Sequence, residues 1–315
     1  MRRILKKISK IIAIIFGIVL VFLSITTAYH HIMLSMEADK IVPNGMLVEV
    51  NGHSMHVYSE GEKNDEPTLV FMSGSATVAP VYNFKSLYSK LSDDYHIVVI
   101  EKAGYGYSEI CDVPRDIDTM FSETRKALAE AGENGPYVLL PHSMSGIEAL
   151  YWAQQYPDEI AGIIGLDMAV PEVYDYFDYT STNRIIKLGQ ASVWLGLVHA
   201  IPGLYSLDTT ALTIEESEQQ KYLMHRNAVN MDYMLELESV QGNAQIVAEN
   251  EMPNTPIKLF VSNGKEVGTY WIPCQERFAE KMGSEIVYLN CGHYIHNYEY
   301  ELISEASKEF LKSLQ

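Results

Sequence analysis

Tyr137-Val138-Leu139-Leu140-Pro141-His142-Ser143-Met144-Ser145-Gly146 is an apolar run that feeds into a small-x-Ser-x-small turn and then into a helical pattern. A strand that turns sharply into a helix needs small side chains on either side of the turn. The same turn forces its central serine into a strained backbone with the hydroxyl exposed. Ser143 is the candidate nucleophile. Pro141 and Ser145 stand where such turns usually carry glycine. A serine after an apolar run also serves as a helix N-cap, so the assignment depends on partners elsewhere in the chain.

The 315 residues, 47% of them hydrophobic, suffice for one large domain or one domain with an insertion. Five cations, Arg2, Arg3, Lys6, Lys7 and Lys10, precede a charge-free run over 11–29. As a helix that run spans roughly 28 Å, enough to cross a bilayer. Glu37 and Asp39 follow it. The charge asymmetry predicts a single-pass anchor with a cytoplasmic N-terminus and an extracytoplasmic remainder. Cleavage as a signal peptide after Thr26-Thr27-Ala28, giving a secreted protein, is the alternative. His30 and His31 read as a solvated interfacial step, with no metal role. The net charge of −18 includes the basic leader, and residues 11–315 carry 18 cations against 41 anions. Such a surface excludes nucleic acid as a partner and leaves the apolar segment as the membrane attachment. Cys111, Cys274 and Cys291 show no metal spacing, and a Cys274 to Cys291 disulfide is open on sequence alone.

Beyond the leader, 46–50 and 54–59 alternate around Asn51-Gly52, a hairpin signal. Apolar strand candidates follow at 68–72, 96–100, 137–140, 160–166, 257–261 and 285–289. Helical patterns at 83–91, 117–131, 146–155, 272–282 and 298–314 separate most of them. The alternation predicts a mostly parallel sheet with helices on both faces and reacting groups at the carboxyl ends of the strands. The stretch after Asp167 is too long for a loop and is rich in Tyr, Leu and Met. The predicted organisation is an anchor and juxtamembrane segment over 1–44, a core over 45–167, a helical cap over 168–252 and the rest of the core over 253–315. Tyr174 to Tyr179 is an aromatic cluster within the cap, read as packing rather than as a pocket wall.

A serine hydroxyl needs a base, and the base needs an orienting carboxylate. Of ten histidines, His293 alone follows a late strand through a Cys291-Gly292 turn and precedes a terminal helix. It is the candidate base, while His142 and His296 are read as structural. At this point the chain resembles the α/β-hydrolase superfamily, in particular its cap-bearing bacterial serine hydrolases. The resemblance covers residues 45–315 and is carried by Ser73-Gly74-Ser75, Gly104-Tyr105-Gly106-Tyr107-Ser108, the turn at Ser143, and Gly292-His293. It implies an oxyanion hole from the amides of Met144 and Ser75, although Ser73 replaces the family's usual His. It also implies an acid at Glu266, with Asp167 at the end of the preceding strand as the alternative. No metal or organic cofactor is implied.

These readings converge on a membrane-anchored serine esterase that cleaves a small-molecule or lipid-like carboxylic ester through an acyl-enzyme on Ser143. Peptidase or thioesterase chemistry on the same triad is the enzymatic alternative, and a non-catalytic binding module of the same fold is the alternative from another class.

Overall fold

A computed structural model describes residues 2–64, 66–201, 203 and 207–314. Its strands are β1 (Met46–Val50), β2 (His53–Glu60), β3 (Thr68–Met72), β4 (Ile97–Glu101), β5 (Tyr137–Pro141), β6 (Ile160–Leu166), β7 (Ile257–Val261) and β8 (Glu285–Tyr288). Its helices are α1 (Arg2–Ala38), α2 (Pro80–Asn83), α3 (Lys85–Tyr88), α4 (Ile117–Glu130), α5 (Ser145–Gln155), α6 (Tyr179–Trp194), α7 (Leu197–Ala200), α8 (Ile214–Asn227), α9 (Met231–Glu249), α10 (Trp271–Met282), α11 (Ile295–Tyr298) and α12 (Tyr300–Ser313).

The eight strands form one sheet in the order β1-β2-β4-β3-β5-β6-β7-β8. β1 and β2 make a hairpin through Asn51 and Gly52, both at positive φ, and β2 pairs antiparallel with β4. Every later pairing is parallel. Residues of β3, β4, β5 and β7 are buried throughout, which is why these segments read as unbroken apolar runs rather than alternating ones. One core lies on each face of the sheet. The first gathers α4, α5, α9 and α10 around Trp152, Leu139 and Leu259, and the second gathers α2, α3 and α12 around Phe71, Phe84 and Leu166. Chain direction through the parallel strands brings the loops after β3, β5, β6 and β7 to one edge, and the site is built there.

Between β6 and β7 the chain folds into α6, α7, α8 and α9. Local chemistry starts these helices: Thr213 and Glu216 form a capping box at α8, and Asn230 accepts from the Asp232 and Tyr233 amides at α9. In the aromatic cluster, Tyr174 is buried in the first core, and Tyr176 is exposed and stacked on Tyr270. The three cysteines are free, so Cys274 and Cys291 do not pair.

α1 is longer than the charge-free run. It is apolar enough over its length to cross a membrane, and it continues to Ala38 without a break. Among the described residues its buried positions are Thr26, His30 and Glu37, with Leu23, Thr27, Met33 and Leu34 half-buried, so one stripe, polar at its buried positions, meets the rest of the molecule. Thr26 Oγ1 donates to Leu195 O at 2.7 Å, and Gly196, at φ +79°, brings its backbone against that of Thr26 where a Cβ would collide. His31 is exposed, but His30 is buried against the insertion, which corrects the reading of both as solvated.

Candidate active site

The turn after β5 puts Ser143 at φ 53°, in the left-handed region that non-glycine residues occupy at a cost. The two departures from glycine have separate explanations. Pro141 ends β5 opposite Met72, and the ladder resumes with the His142 amide donating to Met72 O at 2.9 Å. Ser145 is fully buried, and its hydroxyl lies 2.7 Å from Met72 O and 2.9 Å from His142 O, so its polar atom is satisfied by the strand ends beneath it. The tight approach falls one residue later, at Gly146, where a Cβ would strike the Ala169 carbonyl.

His293, in the loop between β8 and α11, reaches across to the nucleophile. Its Nε2 lies 2.8 Å from Ser143 Oγ and its Nδ1 lies 2.6 Å from Asp167 Oδ2. Asp167 ends β6, is completely buried, and sits at φ 48°. Its other oxygen, Oδ1, accepts from the Ser262 amide at 2.9 Å and from Trp271 Nε1 at 2.7 Å. Both carboxylate oxygens are therefore held, and the indole of Trp271 also stands edge-on to the His293 ring at 5.4 Å.

Glu266 is not on the ring. Its Oε2 accepts the His293 backbone N–H at 2.8 Å, and its side chain lies on the exposed side of the loop after β7. The expectation that Glu266 orients His293 is corrected by this geometry: the imidazole turns inward to the strand end of β6, and Glu266 contacts the main chain behind it. The structure thus brings Ser143, His293 and Asp167 into line. Trp271 and Ser262, which fix the carboxylate, went unnoticed in the sequence.

The loop after β3 approaches the nucleophile so closely that a Cβ on Gly74 would lie 2.5 Å from Ser143 Cβ and 3.0 Å from His142 O. Among the described residues neither the Met144 nor the Ser75 amide has an intramolecular acceptor. The same loop is tied down from below, since the Ala76 amide donates to Tyr105 Oη at 3.3 Å, and Tyr105 donates in turn to Glu236. Glu236 and Glu148 flank the buried Lys102 ammonium. Burial opposes that charge, but the two carboxylates outweigh it and hold the Lys102 pKa above its ordinary value.

His142 packs on the His293 ring at 4.7 Å, with its Nε2 3.2 Å from His293 O. Burial first, then the neighbouring His293 and His296, drives its pKa well below the usual imidazole value. His296 is pushed down to about 3 by burial and then by His293, and its Nε2 lies 2.7 Å from Asn83 Oδ1. Two neutral rings thus back the one that contacts Ser143. Beside these three residues, a cleft of about 330 Å³ is lined by Ala76 and Thr77 of the β3 loop, Leu207 and Met224 of the insertion, and Glu266 and Tyr294.

Strand order, the turn at Ser143 and the convergence of serine, imidazole and carboxylate at the carboxyl edge are those of the α/β-hydrolase fold, and the chain has that fold. Among known proteins it is 36% identical over 322 aligned residues to the Bacillus subtilis (strain 168) protein YbdG, with 98% of each chain covered. Two solved structures are similar in fold. A Bacillus megaterium epoxide hydrolase matches with a TM-score of 0.63 at 14% identity, covering 85% of this chain and 100% of its own. A carboxylesterase of Nitrososphaera gargenis matches with a TM-score of 0.60 at 12% identity, covering 85% and 98%. No family model matches the chain.

Proposed function

We propose that this protein is a serine hydrolase acting on carboxylic ester-like substrates. Ser143 Oγ attacks the carbonyl while His293 Nε2 takes its proton. Asp167 holds His293 Nδ1–H and stabilises the imidazolium, without itself taking the proton. The negative charge that develops on the carbonyl oxygen is met by the amides of Met144 and Ser75. A pre-aimed donor of this kind contributes about 3 to 4 kcal/mol. His293 then protonates the leaving group. In the second half it activates water, which releases the acid from Ser143. The observation that carries the reading is the unbroken line from Ser143 Oγ to His293 Nε2 at 2.8 Å and from His293 Nδ1 to Asp167 Oδ2 at 2.6 Å. Serine at the nucleophile position favours acyl transfer over the epoxide chemistry named for one structural neighbour, since epoxide hydrolases are associated with aspartate there. The helices between β6 and β7 act as a cap over the cleft. α1 anchors the protein in a membrane with its basic end in the cytoplasm, and the cleft meets substrate outside.

A membrane-impermeant fluorophosphonate applied to intact cells tests both parts. The adduct is expected on Ser143, in a membrane fraction that survives a high-salt wash, and is expected to vanish in Ser143→Ala. Labelling that persists in Ser143→Ala overturns the nucleophile. Labelling only after lysis overturns the topology, and a salt-released or secreted adduct overturns the anchor.

A further inference from the structure

The polar stripe on α1 ends in a group of side chains that the triad does not use. Glu37 Oε2 lies 3.2 Å from His199 Nε2 and 2.8 Å from His225 Nδ1. The three donor atoms fall within 4.8 Å of one another, and the three side chains are buried. His199 belongs to α7 and His225 to α8, and their rings lie 3.7 Å apart, centroid to centroid. On the far side of His199, its Nδ1 lies 2.6 Å from Nδ1 of His30, one of the buried residues of α1. Among the described residues, the buried Glu37 carboxylate therefore meets only imidazoles.

The geometry points to a binding site for a divalent transition-metal ion of the zinc type, held by Glu37, His199 and His225, with His30 as the positioning residue behind His199. Two imidazoles and one carboxylate are a donor set that suits zinc and its neighbours and disfavours calcium and magnesium, which take oxygen alone. A tetrahedral zinc with bonds of about 2.1 Å keeps its donors about 3.4 Å apart. Glu37 and His199 are already near that spacing, and His225 moves out by roughly half an ångström. The fourth position is open to water. When His199 binds the ion through Nε2, its remaining proton lies on Nδ1 and is donated to His30 Nδ1. A metal-bound imidazole is usually oriented by such an acceptor on its other nitrogen.

The site joins parts of the chain that are distant in sequence. Further along, the Val42 amide donates to Gln219 Oε1 at 3.0 Å and Gln219 Nε2 donates to Lys40 O at 2.7 Å, so α8 is fastened to the segment after α1 at two places. Gln219 lies five residues before Met224 on the same helix, and Met224 lines the cleft. The ion pins the helices over the cleft to α1.

Full-length protein in detergent, freed of any histidine tag and stripped with a chelator, is dialysed against zinc, and the bound metal is counted by mass spectrometry. One zinc per chain is expected, with a zinc-dependent rise in the thermal midpoint. His199→Ala/His225→Ala is expected to lose both, and Glu37→Gln to bind at least tenfold more weakly. His30→Ala is expected to weaken binding by about 10- to 100-fold. Circular dichroism checks that each variant is folded. Wild type that retains no stoichiometric zinc overturns the site, as does equal retention by the folded double variant. Should the double variant fail to fold, cobalt loaded into wild type decides: a tetrahedral visible spectrum supports the site and an octahedral one overturns it. Unchanged affinity in His30→Ala removes the positioning role.

Discussion

Two strand ends offer a carboxylate to His293, and they treat it differently. At the end of β6, Asp167 is buried, strained and fully hydrogen-bonded, and it holds the imidazole Nδ1. After β7, Glu266 lies in a more exposed loop and holds the His293 backbone N–H. The first contact reads the protonation state of the ring. The second reads only where the loop is. A carboxylate that orients an imidazole and stabilises its charge acts most strongly when shielded from water and fixed at both oxygens, whereas one that braces a loop is served by a longer side chain in solvent.

Substitutions separate the two roles. Asp167→Asn is expected to lower kcat/KM on an activated aryl ester by up to about ten-thousandfold, the loss that accompanies a triad carboxylate turned amide. A mild effect there would return the role to Glu266. Trp271→Phe removes one donor from Asp167 Oδ1 and leaves the Ser262 amide, so roughly a tenfold loss is expected on the same assay, at the lower end of what one hydrogen bond to a charged group is worth. No change would mean that the Ser262 amide alone fixes the carboxylate. Glu266→Gln keeps an oxygen for the His293 amide and is expected to stay within about threefold of wild type, the range of ordinary surface changes. A thousandfold loss would collapse the distinction between the two strand ends.

The sequence made the sheet, the turn at Ser143 and His293 legible, because each is written in local chemistry: apolar runs of strand length, a serine between small residues, a histidine after a Gly292 turn. The sequence narrows the acid to Asp167 and Glu266, and the choice between them depends on which way the His293 ring faces. That orientation is set by Ser262 and Trp271, 95 and 104 residues from Asp167. Trp271 carried a faint signal, as an indole at the head of a helix just after the β7 loop. The burial of His30 is illegible for a similar reason, since its partner His199 is brought to it by the packing of α7 on α1 rather than by any spacing in the chain. By contrast, the departures at Pro141 and Ser145 were visible at once, and only the structure explains why they are tolerated.

Ser143 and Asp167 occupy left-handed backbone at the ends of adjacent strands. Each such residue costs on the order of 1 to 3 kcal/mol. Under the proposed mechanism, a glycine at Ser143 would relieve that cost and abolish the nucleophile, so at this position a more stable chain would be an inactive one. On that mechanism the conflict has an evolutionary reading: drift toward stability would run downhill into a dead enzyme, and the serine would persist only while selection acts on turnover. The central strands, buried throughout, supply the margin that lets the fold carry two strained residues side by side.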